Sequence, residues 1–575
     1  MKKEEEAAPQ TPDDQPSAAA AQETVDLPSR MPEWPAIRAV LSAPVMEPPP
    51  GLVEAQLRAL PPESADGAPV VPTRSFPLVY AINAIDQIVT HKVPLSKTPD
   101  AAQEAPEGKE QAQEAPPQVP VVNRCRTLVH VVDELLSAEE AAQLVPGLFR
   151  LALGLEAQFP GGTVATLPTG RAGVVALTRA QVACLLAHAF FGTFGAVPGA
   201  WDFQFLTLAG APPAAGCGIY HGIVRYFLHV LAADAAGAPL TGTVRVVRAV
   251  LPGADSAAAL RAAVAGIAAL RAQPLCAVVV DDATRIEDVG GGALHADFAN
   301  RHLGGGVLAG GCVQEEIRFG LASPELLAGL LVARDAMADH EALVLCGTEL
   351  VSRYAGYGAR VVWAAPYRDA TPRAPDGSLA SAVVAVDALM APDAQFARAC
   401  VDRDLAKAYA GFSFPYARDH PLAGLAARDV ATGKWGCGVF GGDPEMKFLE
   451  QWLAVSAGAR GRRLVFCTFG DRTGLPAHVR AIVAACRGMT VAQLYARVVA
   501  YADARTRAAR DHQRRLERCR AENARRLAAH RDAVDAAERN GTPAPPRPAL
   551  CDIPAAPELD FVSFLKDKPS SCFIT

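Results

Sequence analysis

Residues 297–319, DFANRHLGGGVLAGGCVQEEIRF, hold three consecutive glycines followed, seven residues later, by a glutamine and two adjacent glutamates. The glycines at 304–306 can take positive φ and approach a ligand closely, so the loop is predicted to be able to wrap a phosphate. Glu315 and Glu316, side by side in a partly desolvated loop, disfavour joint ionisation. One of the pair is therefore expected to have a raised pKa and to carry a proton near neutrality, as a general acid must.

Each of these two features has an ordinary explanation when it occurs alone. Glycine-rich loops are common connectors between elements, and Glu-Glu pairs mostly lie on solvated surface. Their combination within twenty residues is less ordinary. The stretch therefore predicts a catalytic site.

The spacing of GGG, seven residues and QEE, preceded by DFAN, resembles the signature of the poly(ADP-ribose) glycohydrolases. The resemblance extends from about 281 to 471 and is fainter through a helical region before it. It implies an α/β fold, a macrodomain-like three-layer α/β/α mixed sheet with an N-terminal α-helical accessory domain. It also implies hydrolysis of the ribose–ribose O-glycosidic bonds of poly(ADP-ribose), releasing ADP-ribose, with no cofactor and no metal.

Matching the motifs residue by residue assigns the family's catalytic acids to Asp297, Glu315 and Glu316. Glu316 is then the general acid and base, Glu315 holds a ribose hydroxyl, and Asp297 orients the loop or its partners. The resemblance further implies these substrate contacts: Ile286 and Glu287 at adenine, Tyr357 stacked on adenine, Asn300, Gln314 and Phe469 around the scissile ribose, Gly304, Gly305 and Gly306 against the diphosphate, and the diphosphate-binding loop Lys434, Trp435, Gly436, Cys437, Gly438 and Val439.

Two parts of this assignment have alternatives. Tyr357 and Phe469 could be core aromatics, as aromatic residues at strand ends usually are. Lys434 stands where animal members of the family carry Asn, and the change should matter little if the loop binds through its backbone amides. The same loop contains a GxGxxG pattern, but no strand clearly leads into it, so it is a weak dinucleotide signal.

Length and composition give expectations about the number of domains, the compartment and the membrane partners of the protein. The 575 residues are too many for one core, and a hydrophobic content of 50% is ample for burial. The 13 cysteines are scattered singly, without zinc spacing, and are expected to be reduced thiols of an intracellular protein, in the nucleus or the cytoplasm or both. The first residues lack the apolar run of a signal peptide, and no apolar run is long enough to span a bilayer, so no membrane partner is expected.

The chain divides into four predicted regions. Residues 1–30 are expected to be a disordered tail, and 31–235 an α-helical accessory domain with a flexible insertion near 97–120. Capping boxes at Ser137 and Thr178 are predicted to begin helices there, and the lone His188 is expected to be a satisfied core residue. Alternating strands and helices at 236–500 predict the macrodomain-like unit. The strands are predicted at 243–250, 276–280, 343–346, 382–389 and 464–469, and helices between them at 256–271, 324–337 and 444–457. A basic helix and a disordered tail are expected at 501–575.

The basic helix carries ten arginines between Arg505 and Arg531. It could be a solvated helix, a contact for a polyanion or a nuclear import signal, and the pattern does not separate these. The net charge of −6 gives no reason to expect sequence-specific nucleic acid as a direct partner. The expected partners are poly(ADP-ribose) and poly(ADP-ribosyl)ated proteins, and the chain is expected to be a monomer.

Three functions are compatible with these observations. The leading hypothesis is a poly(ADP-ribose) glycohydrolase, acting in poly(ADP-ribose) catabolism and the DNA damage response. A macrodomain that binds ADP-ribose without cutting it is the alternative from another class, although binding an anionic ligand gives no reason to place two carboxylates beside it. A hydrolase that removes single ADP-ribose units from proteins is excluded only by analogy.

Overall fold

The structure is a computed structural model that describes residues 22–44, 74–90, 125–200, 202–211, 217–253, 255–290, 292–390, 392–414, 420, 422–552, 555 and 559–567. The predicted insertion at 97–120 lies outside the described residues. The α-helices are α1 (Trp34–Ser42), α2 (Phe76–Val89), α3 (Arg126–Val129), α4 (Ala138–Leu153), α5 (Leu155–Gln158), α6 (Arg179–Phe191), α7 (Leu206–Gly210), α8 (Cys217–Ala235), α9 (Ser256–Ala268), α10 (Gln314–Glu316), α11 (Ala328–Val332), α12 (Arg398–Phe412), α13 (Pro444–Ala457), α14 (Leu475–Ala485), α15 (Val491–Asn540) and α16 (Phe561–Asp567).

The strands are β1 (Thr24–Asp26), β2 (Thr163–Ala165), β3 (Gly173–Thr178), β4 (Thr243–Val250), β5 (Ala277–Asp281), β6 (Leu294–Ala299), β7 (Glu341–Cys346), β8 (Ser352–Ala355), β9 (Val362–Pro366), β10 (Ala382–Asp387), β11 (Val430–Thr432) and β12 (Arg463–Cys467). Eight of them form one mixed sheet in the order β3-β4-β7-β10-β6-β11-β12-β5. The five from β10 to β5 are parallel, and β7, β4 and β3 continue the sheet antiparallel. All five parallel strands therefore end at the same edge.

Both faces of this sheet are covered by helices. In β10, Val383 and Ala385 pack into one hydrophobic cluster with helices α6 and α8, whereas Val384 and Val386 pack into another with α9, α12 and α13. Because successive side chains of a strand point to opposite faces, β10 is apolar throughout, as a strand buried on both sides must be. The predicted three-layer α/β/α arrangement with a mixed sheet is confirmed.

Strand β6, in the middle of the sheet, was not predicted. Its sequence LHADFA breaks the apolar run with His295 and Asp297, and both of these side chains are covered by neighbouring elements. The five strands predicted at 243–250, 276–280, 343–346, 382–389 and 464–469 are all present, with no end shifted by more than two residues.

The helical region before the sheet follows its predicted capping signals. Ser137 and Thr178 each accept a hydrogen bond from the third helical residue, and the Glu or Gln at that position bonds back, so both capping boxes form. His188 is fully buried, with its ring nitrogens 2.9 Å from the Thr193 hydroxyl and from the Ala152 carbonyl oxygen. Burial lowers the pKa of His188 to about 4, so it is the satisfied, neutral core residue that the sequence predicted.

The domain limits differ from the prediction at three places. Within the predicted disordered tail, β1 pairs with β2, because burying Val25 and Leu27 offsets the cost of ordering this segment; residues 1–21 lie outside the described residues. Strand β3 belongs in sequence to the predicted helical domain but pairs with β4 in the main sheet, where Val175 and Leu177 are buried. The boundary at 235 therefore does not separate two independent folding units.

The third difference lies at the C-terminus. Helix α15 begins at Val491 rather than near 501, and Tyr501 within it is completely buried. The segment after Asn540 was predicted to be disordered, but α16 packs Phe561 and Phe564 against the Tyr501 ring. Among the described residues, no helix has the length and apolarity needed to cross a membrane.

Candidate functional site

The residues assigned from the sequence meet at the edge where the parallel strands end. Asp297 lies in β6, the two glutamates lie in α10 after the glycine-rich loop, Ile286 follows β5, the 434–439 loop follows β11, and Phe469 follows β12. Ligands of open α/β sheets bind outside the carboxyl ends of the strands, so the location fits a ligand site.

Asp297 is completely buried, and neither of its carboxyl oxygens has a hydrogen-bond partner among the described residues. Burial, reinforced by the charge of Glu316, raises its pKa well above the usual range, and nearby Arg318 opposes this only partly. The environment of Asp297 therefore favours its protonated form. That Asp297 orients the loop or its partners stays a prediction, and its carboxyl oxygens make no hydrogen bond to the loop among the described residues.

Glu315 and Glu316 are held by backbone amides. Glu315 accepts from the amides of Asn300, at 2.8 Å, and Gly304, at 2.6 Å, one at each carboxyl oxygen. Glu316 accepts in the same way from Gly306 and Val313, both at 2.9 Å. Burial and the neighbouring acids raise the pKa of Glu315 well above its usual range, although its two amide bonds oppose the shift. The predicted raised pKa within the pair is thus found on Glu315.

The glycines are required by these contacts. A Cβ on Gly305, which has φ of 52°, would lie 2.6 Å from an oxygen of Glu315 and 2.6 Å from an oxygen of Glu316. A Cβ on Gly311 would lie 2.9 Å from the Glu316 carboxyl carbon. The loop has no side chains here because it wraps the two carboxyl groups at van der Waals distance.

The backbone amides of Gly304, Gly305 and Gly306, which were predicted to lie against the diphosphate, all donate hydrogen bonds within the protein. The Gly304 and Gly306 amides donate to the two glutamates, and the Gly305 amide donates to the His302 carbonyl oxygen at 3.1 Å. All three N–H groups are already used within the protein. They are not available to an incoming phosphate in this conformation.

Gln314 and Asn300 also bond within the protein. The Gln314 side chain accepts from the Phe298 amide at 2.9 Å and donates to the Ala296 carbonyl oxygen at 3.2 Å. It thereby occupies the edge of β6 beyond the point where pairing with β11 ends, and it fixes the backbone on both sides of Asp297. The Asn300 side chain accepts from the His302 amide at 3.0 Å.

Sequence reasoning missed Arg318, which lies two residues after Glu316 in a π-helical turn spanning Ile317–Ala322. Its side chain is buried, and its Nε and one terminal nitrogen have no partner among the described residues. Burial lowers its pKa, whereas the charges of Glu287, Asp369 and Asp297 raise it. The residue was readable as a cation inside the QEEIRF motif, but nothing in the spacing showed that it is buried beside the acids.

The expected adenine region surrounds a second arginine. The Tyr354 hydroxyl donates to Glu287, and the Arg285 guanidinium lies 4.1 Å from the centre of the Tyr354 ring and 5.0 Å from that of Phe469. Phe469 has φ of 24°, an uncommon backbone conformation that clusters at functional sites, and its ring is 53% exposed. Core packing is therefore wrong for Phe469.

Tyr357 and Ile286 complete this region. The Tyr357 ring is 57% exposed, so it is not a core residue either. Burial of its hydroxyl raises the pKa of Tyr357, and the charges of Glu316 and Cys312 raise it further. Ile286 is buried below the region. Tyr357 is thus an exposed aromatic surface whose hydroxyl lies within range of the charge of Glu316.

The 434–439 loop is built differently from the first loop. Trp435 is fully buried and donates its indole N–H to the Val386 carbonyl oxygen at 3.0 Å, which anchors the loop to β10. Among the described residues, no hydrogen bond uses the backbone amides of Gly436, Gly438 or Val439. Lys434 pairs with Asp471 at 3.1 Å. Free amides and a cation at a strand end suit a diphosphate.

One group of side chains elsewhere has the composition of a metal site. Ligand atoms of Glu445, His478 and Asp560 lie within 4.8 Å of one another. Both oxygens of Glu445 already accept hydrogen bonds, from Tyr501 and from the Phe561 amide, and Asp560 accepts from Ser563. These bonds dock α16 onto the body, which accounts for the group without an ion.

Comparison with known proteins agrees with this architecture. The family model described as poly(ADP-ribose) glycohydrolase, macro domain fold, matches residues 268–474, and the model of the same family's helical domain matches residues 137–212. A probable poly(ADP-ribose) glycohydrolase 2 of Arabidopsis thaliana is 29% identical over 65% of this chain and 81% of its own length.

Two other relatives are similar over shorter parts. Poly(ADP-ribose) glycohydrolase 1 of Arabidopsis thaliana is 35% identical over 34% of this chain, and the match spans 46% of that protein. Poly(ADP-ribose) glycohydrolase 1 of Caenorhabditis elegans is 38% identical over 30% of this chain and 23% of its own length. With both family domains matched, the chain belongs to the poly(ADP-ribose) glycohydrolase family and is a glycosidase-type hydrolase.

Proposed function

We propose that this chain hydrolyses the ribose–ribose bonds of poly(ADP-ribose) with Glu316 as general acid and base. The observation that carries the proposal is the position of Glu316 among the three acids. Backbone amides hold Glu315 and Glu316 alike, but Glu316 is 6% exposed, whereas Glu315 is 3% exposed and Asp297 is completely buried. Glu316 is therefore the least buried of the three acids, and its charge also raises the pKa of the exposed Tyr357.

The chemistry needs one carboxyl group acting twice. Protonated Glu316 gives its proton to the departing ribose oxygen as the glycosidic bond breaks through an oxocarbenium-like state. The resulting carboxylate then takes a proton from the water that adds to the anomeric carbon, which regenerates the acid. The raised pKa values of Asp297 and Glu315 favour protons close to Glu316, and the loop amides fix the direction of the Glu316 carboxyl group.

Each of the other assigned residues contacts a different part of the substrate. Tyr357 offers its exposed ring to adenine, with Ile286 and Glu287 at the base's edge, and Phe469 with Arg285 behind it borders the ribose. The diphosphate lies on the 434–439 loop, bound by the amides around Gly438. Gln314 and Asn300 support the reacting ribose by fixing the backbone around Asp297.

A module that only binds ADP-ribose is less compatible with this site. Burying three acids together costs free energy, and a site for an anionic ligand gains nothing from them. Removal of single ADP-ribose units from proteins would use the same acids. Product analysis on defined polymer and on singly modified protein separates the two hydrolases.

We also propose an intracellular protein of the nucleus or cytoplasm that acts, as a monomer and without a membrane partner, on poly(ADP-ribosyl)ated proteins in poly(ADP-ribose) catabolism and the DNA damage response. The twelve cysteines within the described residues are all free thiols, which supports a reducing compartment. Cell fractionation and light scattering test these points. Recovery from a secreted fraction, or a dimer mass, would contradict them.

The test of the catalytic proposal is Glu316→Gln compared with Glu315→Gln. Each substitution replaces one of two amide-accepting oxygens, so the structural losses are matched. Glu316→Gln should lower polymer turnover by about 10²- to 10⁴-fold, the usual cost of losing a positioned acid and base. ADP-ribose affinity should change little, since ground-state contacts remain.

Glu315→Gln should lower turnover less at a comparable melting temperature. Calorimetric ADP-ribose binding and thermal melts accompany the rate measurements. An unchanged rate for Glu316→Gln would refute the assignment. A wild type that binds ADP-ribose but cuts no polymer would favour the binding module.

A further inference from the structure

Helix α15 packs on helices α9, α12 and α13 and runs toward the edge of the sheet where the candidate site lies. Near its beginning, the Val491 amide donates to the Gln273 carbonyl oxygen at 2.9 Å, four residues before the first residue of β5. About 21 Å further along the helix, Arg505 pairs with Asp443 at 3.5 Å. Asp443 directly follows the glycine-rich loop after β11. The helix therefore leaves the body at the edge where the site lies, next to the proposed diphosphate loop.

One side of the outer half of α15 is covered by the chain that returns from its end. The Asn523 side chain donates to the Cys551 carbonyl oxygen at 3.0 Å and accepts from the Cys551 amide at 2.6 Å. Arg526 donates to the Ala549 carbonyl oxygen at 2.7 Å. These bonds fix which face of the helix remains open.

The open face carries a row of exposed arginines, which we call the arginine stripe: Arg507, Arg510, Arg514, Arg518 and Arg525. Spacings of three, four, four and seven residues place them along one side of a helix, over about 27 Å. Arg514 lies 3.3 Å from Asp511, and Arg525 lies 2.9 Å from Glu522. Both pairs are solvent-exposed and therefore weak, so the stripe keeps most of its positive potential.

A row of guanidinium groups fits a polymer with regularly spaced phosphates. Each unit of poly(ADP-ribose) contributes a diphosphate, and the whole chain here has a net charge of −6, so attraction to such a polymer must be local. The stripe begins at Arg507, two residues after the Arg505 that pairs with Asp443, and therefore on the opposite side of α15 from that pair, about one helix diameter away. This closeness to the loop proposed to bind the terminal diphosphate favours the substrate itself over an unrelated nucleic acid.

We propose that the arginine stripe is a docking surface for the poly(ADP-ribose) chain beyond the unit being cut. The inference rests on the proposed function, because it takes the polymer as substrate. The stripe binds diphosphates of successive units and holds long chains near the site, while the acids and the 434–439 loop act on one unit. The contribution of the stripe to polymer affinity increases with polymer length and decreases as the salt concentration rises.

The test compares two triple variants in the Glu316→Gln protein, so that polymer survives the measurement. The first is Arg510→Gln, Arg514→Gln and Arg518→Gln. The matched control, on other faces of the same helix, is Arg515→Gln, Arg520→Gln and Arg531→Gln. Affinity for long poly(ADP-ribose) and for ADP-ribose is measured by fluorescence anisotropy from 50 to 200 mM salt.

The stripe variant should reduce the salt slope for long polymer by about 2, at roughly 0.7 per phosphate contact, which is about a 20-fold difference across this salt range. Affinity for ADP-ribose should stay within about twofold, and the control should keep most of the wild-type slope. Replacing the same three arginines by lysine should restore most of it.

Several outcomes would overturn the proposal. Equal loss in the control would mean diffuse charge rather than a stripe. Equal loss for ADP-ribose would place the effect at the site. A stripe variant that keeps polymer affinity but loses binding to duplex DNA would make nucleic acid the partner. A protein with an intact Glu316 that binds long polymer through the stripe but cuts none supports the docking and refutes only the catalytic proposal.

Discussion

The two glycine-rich loops follow neighbouring parallel strands, β6 and β11, but use their backbone amides in opposite ways. In the first loop, the amides of Gly304 and Gly306 are directed at the protein's own glutamates. In the second, the amides of Gly436 and Gly438 have no partner among the described residues. One loop stabilises anions of the protein, and the other is open to an anion of the ligand.

This difference shows what glycine content can and cannot indicate. Glycine means that the backbone approaches something closely, and both loops do so. Which group is approached depends on the side chains supplied by the next element. Glu315 and Glu316 follow the first loop in α10, whereas the second loop leads to Asp443, which caps its own helix by accepting from the Met446 amide.

Gly305→Ala tests the first loop and should have the largest effect. Its Cβ would lie 2.6 Å from oxygens of both Glu315 and Glu316, so the carboxyl groups must move. A displacement of about 1 Å in a catalytic group can cost about 10²-fold, so turnover should fall at least that much. The measurement is polymer hydrolysis, corrected for the folded fraction.

Gly310→Ala is the matched control for this substitution. Gly310 has φ of 86°, so alanine is strained there as it is at Gly305, but nothing lies within 4 Å of the added Cβ. It should lower stability slightly and keep most of the activity. Similar losses in both variants would mean that loop strain, and not contact with the carboxyl groups, limits the enzyme.

Much of the fold was predictable because its signals are local. Capping boxes, the apolar runs of five strands and the helix at Pro444–Ala457 were all read from neighbouring residues. Strand β6 was missed because function places polar residues in the middle of the sheet, at His295 and Asp297. The docking of Phe561 on Tyr501 joins segments sixty residues apart, and no periodicity indicates such a contact.

The candidate site was predictable in composition but not in its bonding. The sequence placed Asp297, Glu315 and Glu316 together, and the structure does bring them together. Which amides hold them depends on loop geometry, and glycine content alone did not show that the amides of 304–306 donate within the protein. Arg318 was missed because a buried arginine and a surface arginine look identical in a sequence.

Gly438→Pro tests the second loop and should have the next largest effect. Proline removes the amide N–H that is proposed to bind the diphosphate, whereas Gly438→Ala keeps it, and nothing lies within 4 Å of a Cβ at this position. A hydrogen bond to a charged group contributes about 1.5–3 kcal/mol, so proline should weaken ADP-ribose binding by about 10- to 100-fold. Calorimetry on both variants makes the comparison. Equal affinities would mean that this amide does not contact the ligand.

The smallest expected effect concerns the protonation of Asp297, the buried acid next to the first loop. Asp297 has a raised pKa in the folded protein, whereas in the unfolded chain it ionises at about 3.9. The folded state then binds more protons than the unfolded state above that pH, so wild-type stability falls as pH rises toward the folded pKa. Asp297→Asn cannot ionise, and it also removes the charge that most raises the pKa of Glu315.

The melting temperature of Asp297→Asn, relative to wild type, should therefore rise between pH 4 and pH 8, on a scale of about 2–4 °C per kcal/mol for a domain of 150–250 residues. The matched control is Asp376→Asn, at an exposed aspartate whose pKa is lowered by hydrogen bonds from Ser378. The stability linked to Asp376 changes only below about pH 4, where its carboxylate gains a proton. The melting temperature of Asp376→Asn relative to wild type should therefore stay constant between pH 4 and pH 8. A flat difference for Asp297→Asn as well would mean that the buried acid is ionised in the folded protein, with Arg318 as its counter-charge. The first loop would then enclose three carboxylates and not a protonated cluster.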